Sequence, residues 1–321
     1  MEDNIFNIQN NAQFEELALK IFDYQIQNNQ IYAEYAKLVL KEKQPINIYE
    51  IPFLPISFFK NEQIICQGKA VEKVFLSSGT TGNQSKHLIS DISIYKASYT
   101  KAFELFYGDV KQYCILSLLP NYREQEDSSL IYMVDDLISK SENLDSGFYL
   151  NDYKKLDEKL KQLEAKGQKT ILFGVSYALL DLAEKFSQKL NHTIIIETGG
   201  TKGKKEIVKE ELHQKLKTAF SLNIIHSEYG MSELLSQSYS NGNGIFQCPP
   251  WKQVLIRDVN DPLSIIGENK TGGINVIDLA NIYSCPFIAT QDLGKSFNDG
   301  TFKILGRFDN SDLRGCNLLL Q

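Results

Sequence analysis

Between residues 71 and 225 the sequence alternates between short runs of β-branched or aromatic residues and longer stretches whose apolar residues recur at helical spacing. The runs that predict strands are Val71–Leu76, Tyr113–Leu118, Thr170–Phe173, Thr193–Ile196 and Leu222–Ile225. The stretches that predict helices are 93–106, 128–140, 153–166, 176–190 and 204–217. Strands that alternate with helices of this length form βαβ units, so the pattern predicts an α/β fold with a mainly parallel sheet.

The segments before this alternation follow different patterns. Apolar residues spaced by three and four across residues 13–43 predict two amphipathic helices, with a break near Asn28 and Asn29. Residues 51–60 contain Pro52 and Pro55 among dense apolar residues, and they predict an extended, packed connector rather than a regular helix.

After about residue 245 the pattern changes again, to strand-like runs that follow one another closely with Gly, Asn and Asp between them. These runs are Gln253–Val259, Gly273–Asp278, Pro286–Thr290 and Thr301–Leu305. They predict a smaller β-rich C-terminal subdomain. We therefore expect residues 1–245 to hold the N-terminal helices and the α/β body, and residues 246–321 to hold the β-rich part.

Charge and cysteine content narrow the classes of function. The chain has 321 residues, 34 basic and 40 acidic, and its formal net charge of −6 argues against a polybasic nucleic-acid binder. Its cysteines are odd in number and scattered, which fits neither a disulfide framework nor a zinc site; they are Cys66, Cys114, Cys248, Cys285 and Cys316. The first residues lack the pattern of an export signal, and no stretch approaches the ~18 apolar residues of a membrane span. A cytoplasmic protein is expected.

A run of hydroxyl-bearing residues and glycines follows the first predicted strand, from Ser77 to Lys86. Backbone N–H groups and hydroxyls in such a loop are suited to donate hydrogen bonds to a polyphosphate. The run does not match the common P-loop pattern. A solvated turn rich in Ser, Thr and Gly is the alternative interpretation.

A second group of polar residues, His226 to Glu233, follows the predicted strand Leu222–Ile225. Residues after parallel strands face the ligand crevice of an α/β sheet. There Tyr229 is placed to stack on a base, Ser232 to donate to a carboxylate or phosphate, and Glu233 to hold a magnesium ion. The alternative is an ordinary helix N-terminus with Ser232 as its cap.

Three further groups have the same character. Glu197 to Gly203 follow the strand Thr193–Ile196, Thr290 to Gly294 end another predicted strand, and Gly306 to Cys316 include Arg307. A buried acid such as Asp292 is suited to accept both hydroxyls of a ribose, and Arg307 to reach a phosphate or ribose oxygen. Taken singly, each group also fits an ordinary turn.

The order of the five groups along residues 77 to 315 resembles the adenylate-forming superfamily of acyl-CoA synthetases, adenylation domains and luciferases. Ser-Ser-Gly-Thr-Thr-Gly, Gly-Gly, Tyr-Gly-Met-Ser-Glu, Gln-Asp-Leu-Gly and Gly-Arg-x-Asp-Asn occur in that sequence. The connector Ile51–Lys60 and the ending Asp-Leu-Arg-Gly-Cys look like the acyl-protein synthetase branch associated with bacterial bioluminescence. Phenylacetate-CoA ligases are more distant relatives.

The resemblance implies roles for individual residues and two cofactors, ATP and Mg²⁺. The residues that would cradle the ATP phosphates are Ser77, Ser78, Gly79, Thr80, Thr81 and Gly82. Those that would bind the adenine and the ribose are Gly199, Gly200, Tyr229, Gly230, Asp292 and Arg307. Those with catalytic roles would be Ser232, Glu233, Arg307 and Cys316, with Glu233 as the metal ligand and Cys316 as the acyl acceptor.

The sequence also departs from the superfamily pattern. Gly82 is followed by Asn-Gln-Ser-Lys rather than Gly-x-Pro-Lys, so Lys86 comes one place late. The superfamily's further C-terminal domain of roughly one hundred residues, which supplies a catalytic lysine, is expected to be lacking. The lysine would then come from elsewhere in the chain or from a partner, or be dispensed with.

The function that these residues predict is ATP- and Mg²⁺-dependent activation of a carboxylic acid, fatty or aryl, with transfer of the acyl group to a protein thiol. A reductase or acyl-transferase partner is implied by the resemblance. Transfer to coenzyme A or another small acceptor is one alternative, and a non-catalytic nucleotide-binding relative is another. Cys316 itself is equally interpretable as a small buried residue. The histidines, among them His87 and His226 near the predicted loops, lack metal-ligand spacing.

Overall fold

The computed structural model describes residues 2–78, 84–120, 125–150, 152–199 and 208–308. Its α-helices are α1 (Glu2–Ile5), α2 (Asn11–Asn28), α3 (Gln30–Leu40), α4 (Phe58–Asn61), α5 (Ile92–Tyr107), α6 (Ser129–Lys140), α7 (Tyr153–Lys166), α8 (Ser176–Lys185) and α9 (Lys209–Phe220). Short 3₁₀ turns lie at Ile48–Glu50, Val110–Gln112 and Leu279–Asn281. Among the described residues, no helix has both the length and the apolar character needed to cross a membrane.

The strands form two large sheets and a short ladder. They are β1 (Leu54–Pro55), β2 (Lys73–Leu76), β3 (Lys86–Ile89), β4 (Cys114–Leu118), β5 (Gly147–Phe148), β6 (Thr170–Val175), β7 (Thr193–Thr198), β8 (His226–Tyr229), β9 (Ser238–Ser240), β10 (Ile245–Phe246), β11 (Lys252–Arg257), β12 (Ile265–Ile266), β13 (Thr271–Asp278), β14 (Phe287–Ser296) and β15 (Phe302–Arg307). One sheet has the order β5-β4-β6-β7-β8-β9, in which β9 alone is antiparallel to its neighbour. The mainly parallel α/β body is confirmed.

The parallel sheet is buried on both faces because its central strands carry apolar side chains at successive positions. Ile115 and Ile171 pack on the face covered by α5 and α6. Leu116 and Leu172 point the other way and pack against α7, α8 and α9. Side chains alternate between the faces of a strand, so a run without polar residues requires helices on both sides.

The β-rich C-terminal sheet is also confirmed, with the order β10-β15-β14-β13-β11-β12 and mainly antiparallel pairing. The N-terminal helices pack on it: the ring of Phe287 on β14 contacts Phe22 of α2 and Tyr32 of α3. Asn29 separates these helices, capping α3 through its side chain and donating to the Ser284 carbonyl oxygen. The predicted break near Asn28 and Asn29 is therefore correct.

The connector is extended around its prolines, as predicted. Leu54 and Pro55 form β1, which pairs in parallel with β14. The carbonyl oxygens of Pro52 and Phe53 accept hydrogen bonds from the hydroxyls of Tyr32 and Tyr35, which fasten the segment to α3. A single helical turn, α4, begins only after Pro55, because proline disfavours helical geometry at the residue before it.

Some predicted boundaries are wrong. The run Leu222–Ile225 is not a strand, since Leu222 N–H donates to the Lys217 carbonyl oxygen at the end of α9 and the sheet pairing begins at His226. Helix α8 ends at Lys185 rather than residue 190, because residues 188 and 190 pair with the end of α9. The strand predicted at Val71–Leu76 exists as β2, but it pairs with β3 in an antiparallel ladder outside the parallel sheet. The division at residues 245 and 246 stays a prediction.

Candidate active site

Three parts of the molecule meet near the carboxyl ends of β7 and β8. Gly199 follows β7 with φ of 72°, a left-handed conformation that glycine adopts without strain. Tyr229 ends β8, and Gly230 comes next. The β2–β3 ladder and the β14–β15 pair contact these ends through Ser232 and Tyr229. In open parallel sheets this edge forms the ligand crevice.

Tyr229, Asp292 and Arg307 form a chain of polar contacts. The Tyr229 hydroxyl donates to Asp292 Oδ2 at 2.8 Å, and Arg307 Nε lies 3.0 Å from Asp292 Oδ1. Burial and the neighbouring Asp292 carboxylate raise the pKa of Tyr229 well above its usual value, so the phenol keeps its proton. The Arg307 side chain is 70% exposed while that of Asp292 is 9% exposed. The series of polar contacts therefore runs from the buried Tyr229 hydroxyl to the exposed Arg307 guanidinium.

The sequence predicted that Asp292 lies at the end of a strand, and this prediction is wrong. Asp292 lies within β14, which continues to Ser296, and it is paired directly with Arg307 on β15. The prediction failed because Gln291 to Gly294 resemble a turn in composition, whereas a register irregularity between Leu293 and Gly294 lets the ladder continue past them.

The base of the predicted phosphate loop is closed by hydrogen bonds. Ser77 N–H donates to the Ser85 carbonyl oxygen at 3.0 Å, and Ser85 N–H donates to Ser77 Oγ at 2.9 Å. The Gln84 side chain donates to the Ser77 carbonyl oxygen at 2.6 Å. Ser78 is exposed beyond this closure. Lys86 begins β3 opposite Leu76 and is also exposed.

Ser232 is fastened to this loop base. Its hydroxyl donates to the Leu76 carbonyl oxygen at 3.0 Å, and its own carbonyl oxygen lies 2.7 Å from His87 Nδ1. Because that carbonyl can only accept, His87 carries a hydrogen on Nδ1. Burial lowers the pKa of His87 to about 4, so the ring is neutral and its role here is structural. Residues 230–237 contain no helix, and the helix-cap alternative for Ser232 is wrong.

Glu233 is a buried carboxyl group beside the loop. Burial raises its pKa above the usual value, although a hydrogen bond with Ser85 acts against this. Its main-chain carbonyl accepts from the Asn281 side chain at 2.7 Å, which fixes the residue without using the carboxylate. Within the described ranges, no group of three or more His, Cys, Asp or Glu residues is arranged so that it could hold a metal ion. A Mg²⁺ here would thus be held by one carboxylate together with phosphate oxygens, a common arrangement for this ion.

Asp278 holds the turn that carries Ser232 and Glu233, and the sequence analysis did not find it. This fully buried carboxylate at the end of β13 accepts from Leu235 N–H at 2.8 Å, Ser236 N–H at 2.9 Å and the Ser236 hydroxyl. Lys252, its paired residue on β11, donates to the Ser236 carbonyl oxygen at 2.8 Å. No local sequence pattern marks Asp278, because its partners lie more than forty positions away.

Two further buried carboxyl groups flank the site, one on each face of the parallel sheet. Glu197 of β7 receives the Ser176 hydroxyl at 3.0 Å and lies 3.2 Å from Lys209 Nζ. Burial opposes ionisation of Glu197, but His213 and Lys209 outweigh it and lower the pKa to about 2. On the other face, burial raises the pKa of Glu228 to about 7. Glu197 is therefore ionised near neutral pH, whereas Glu228 exchanges its proton in that range.

A sequence profile described as acyl-protein synthetase, LuxE, matches residues 5–321. The chain belongs to this family. No curated protein matches it significantly. The site described above is therefore one held by an acyl-protein synthetase family member, and the resemblance drawn from the motifs is confirmed.

Solved structures similar to this acyl-protein synthetase family member are adenylate-forming enzymes. ATP-bound MatB from Rhodopseudomonas palustris is 18% identical, with a TM-score of 0.57 over 74% of this chain and 48% of that one. A 2-hydroxyisobutyryl-CoA ligase bound to 2-HIB-AMP and CoA is 12% identical, with a TM-score of 0.67 over 93% and 75% of the two chains. MenE from Bacillus subtilis with ATP and magnesium is 17% identical, with a TM-score of 0.50 over 75% and 51%. At these identities the likeness shows the fold.

The family member spans about half the length of MatB and MenE. Of its predicted site residues, the structure brings together Ser77, Ser232, Glu233, Tyr229, Asp292 and Arg307, with Gly199 and Gly230 at the adjacent strand ends. Those that lie outside the described residues are Gly79, Thr80, Thr81, Gly82, Gly200 and Cys316.

Proposed function

We propose that this chain activates a carboxylic acid with ATP and Mg²⁺ and transfers the acyl group to a protein thiol, Cys316 of the same chain. One observation supports the first half: Ser232, three residues after Tyr229, is hydrogen-bonded to the Leu76 carbonyl oxygen at the loop base, and Tyr229 is itself hydrogen-bonded to Asp292, which pairs with Arg307. Membership of the acyl-protein synthetase family supports the second half.

In the first step a carboxylate oxygen of the acid attacks the α-phosphorus of ATP. The bond between that phosphorus and the oxygen leading to the β-phosphate breaks, and pyrophosphate leaves with the electron pair. The products are an acyl-adenylate and pyrophosphate. Positioning of the two anions and neutralisation of phosphate charge are the main requirements of such a reaction.

Different residues of this chain would position the ATP and neutralise the phosphate charge. Ser78, which is exposed beyond the closed Ser77–Ser85 base, and the hydroxyl-bearing residues that follow it in the sequence would receive the phosphates, and Asp292 would accept the ribose hydroxyls with Arg307 alongside. Mg²⁺, when bound at Glu233, would neutralise phosphate charge. Glu233 is buried, and a nearby cation would offset the cost of its buried charge.

In the second step a thiolate sulfur attacks the acyl carbonyl carbon, the bond to the phosphate oxygen breaks, and AMP leaves. Arg314 and Cys316 are two positions apart in the sequence, and a neighbouring guanidinium favours the thiolate form. The product is a thioester on the protein, which a reductase or acyl-transferase would consume.

The first experiment follows pyrophosphate release from ATP and Mg²⁺ with fatty, aryl and short acids, without an acceptor. A burst of about one equivalent per enzyme with one class of acid supports adenylation and names the substrate class. Nucleotide binding without release from any acid would contradict it and favour a non-catalytic nucleotide-binding relative.

The acceptor is tested with labelled acid. We expect Cys316→Ser to release pyrophosphate normally but to lose acylation that survives acid and is removed by hydroxylamine. Cys248→Ser is the matched control, because Cys248 is partly exposed and free in the structure. Acylation of the Cys316→Ser protein would exclude this cysteine, and acylation of added coenzyme A would favour the CoA ligase alternative.

A further inference from the structure

Strands β7 and β8 separate at the candidate site. They pair at Ile196–His226 and Glu197–Ser227, and the pairing ends there. On its other side β7 continues one residue further, with Thr198 paired to Val175 of β6. The opening between β7 and β8 therefore begins at Thr198 and Glu228, immediately before Gly199 and Tyr229.

One side-chain hydrogen bond crosses this opening. The Thr198 hydroxyl donates to Glu228 Oε2, and both residues are buried, Thr198 at 1% and Glu228 at 8% exposure. Glu228 Oε1 occupies the space where a Cβ on Gly230 would stand. The one carboxyl group thus contacts the residue before Gly199 and lies against Gly230.

Among the described residues, Ser176 contacts Gly199 from the opposite side. The Ser176 hydroxyl lies 3.3 Å from the Gly199 carbonyl oxygen and 3.0 Å from Glu197 Oε1. Ser176 therefore fastens the turn to α8, whereas Glu228 fastens it to β8. Among the described residues, the Thr198–Glu228 hydrogen bond joins the two strand ends beyond their last paired residues.

We propose that Glu228 is a positioning residue that sets the width of the nucleotide-base slot between the Gly199 turn and the Tyr229–Gly230 turn. The inference rests on the proposed function, since it takes these turns to bind the adenine of ATP. Glu228 acts through Thr198 and Gly230 and does not itself contact the nucleotide. With the bond intact the slot accepts adenine in preference to guanine.

The test measures the dissociation constants of ATP and GTP by calorimetry in the absence of acid, so that no turnover occurs. Thr198→Val removes the hydroxyl and keeps the shape of the side chain. Loss of one buried hydrogen bond amounts to about a five- to tenfold change in an equilibrium constant. We expect ATP to bind about five- to tenfold more weakly, with a smaller ratio between the GTP and ATP constants.

Two conservative variants keep the bond and should keep the selectivity. Thr198→Ser retains the hydroxyl, and Glu228→Gln retains an uncharged oxygen that accepts it. The matched control is Thr193→Val at the other end of β7, where the Thr193 hydroxyl donates to Glu164 Oε1 at 2.7 Å. It removes a Thr–Glu hydrogen bond from the same strand, and we expect wild-type nucleotide binding.

The outcomes separate the inference from the proposed function. Wild-type protein that fails to bind ATP would contradict the proposed function, and the inference with it. ATP binding that is normal in the wild type and unchanged in ratio to GTP in Thr198→Val would overturn the inference alone. The inference would also be overturned if Thr198→Val and Thr193→Val weakened ATP binding and GTP binding to the same extent.

Discussion

Asp292 and Arg307 occupy paired positions on β14 and β15, and Arg307 Nε lies 3.0 Å from the carboxylate oxygen that Tyr229 does not use. The ion pair is exposed on the arginine side, where such pairs contribute only about 0–1 kcal/mol to stability. Under the proposed function, the role of the pair would be to hold Asp292 in place for a ligand. A ribose would meet a carboxylate fixed from two directions.

Replacement Arg307→Ala is expected to slow acyl-adenylate formation about tenfold or more while changing the free energy of unfolding by less than about 0.5 kcal/mol. The physical reason is that the guanidinium neutralises charge at the ligand and is little involved in the fold. Single-turnover pyrophosphate release and urea unfolding measure the two effects. The control is Lys303→Ala, which breaks another exposed ion pair on β15, with Glu210 at 3.0 Å. Equal rates in the two variants would argue against the role of Arg307.

Replacement Glu233→Gln should raise the Mg²⁺ concentration needed for half-maximal adenylation and lower the rate about a hundredfold. An amide binds Mg²⁺ more weakly than a carboxylate, and Asn281 still holds the main chain of residue 233. A Mg²⁺ titration of pyrophosphate release checks this, with Glu211→Gln on the exposed side of α9 as the control. A wild-type Mg²⁺ dependence would remove the metal assignment.

We expect Glu228 to contribute stability that is lost as pH rises. Its pKa is raised from 4.5 to about 7 in the folded state, so the folded protein holds a proton that the unfolded chain has lost. The contribution is present below pH 4.5 and disappears as pH rises to about 7, and a shift of this size corresponds to about 3 kcal/mol. The groups that face Glu228 or act on it are Lys252, Glu197, Lys209, Tyr95, Tyr107 and Tyr239.

Urea unfolding between pH 4.5 and pH 8 tests this. Because the lowered pKa of His87 acts in the opposite direction over the same window, each variant is compared with the wild type, and Glu228→Gln should remove the decline that Glu228 contributes. Glu197→Gln is the contrasting variant. The pKa of Glu197 is lowered from 4.5 to about 2, so its contribution is present above pH 4.5 and lost as pH falls toward 2. Glu197→Gln should therefore leave the decline above pH 4.5 in place. A Glu228→Gln protein with an unaltered slope would contradict the assignment.

Replacement Asp278→Asn should destabilise the protein by about 2 to 4 kcal/mol and impair adenylation, because the amide N–H₂ would face groups that donate. The control is Asp299→Asn, since Asp299 likewise accepts from a backbone N–H and a hydroxyl, both of Thr301, but in an exposed turn. We expect that control to lose less than about 1 kcal/mol. Urea unfolding and pyrophosphate release on both variants measure the difference.

The sequence alone was sufficient to predict the helices and strands that are marked by a local pattern of apolar residues. Helix α7 begins and ends where predicted, at residues 153 and 166, because Asp152 caps it and Gly167 ends it. The parallel strands β4, β6 and β7 were found from their β-branched runs. The order of the motifs was sufficient to identify the family, and it named Tyr229, Asp292 and Arg307, which the structure brings into contact.

The rest depends on contacts distant in sequence. Strand β8 was missed because His226 to Tyr229 are mostly polar. Their polar groups are buried with hydrogen-bond partners such as Thr198 and Asp292, which are distant in sequence. Asp278 and Glu228 carry no motif of their own. Their importance follows from the donors that surround them, which only the folded chain brings together.

The central claim is that the acid attacks the α-phosphorus of ATP, and an oxygen label tests it directly. A carboxylic acid labelled with ¹⁸O in both oxygens is incubated with ATP, Mg²⁺ and the protein, and the nucleotides are analysed by mass spectrometry. We expect AMP that carries one ¹⁸O atom and unlabelled pyrophosphate. Label in inorganic phosphate with formation of ADP, or AMP without label, would contradict it.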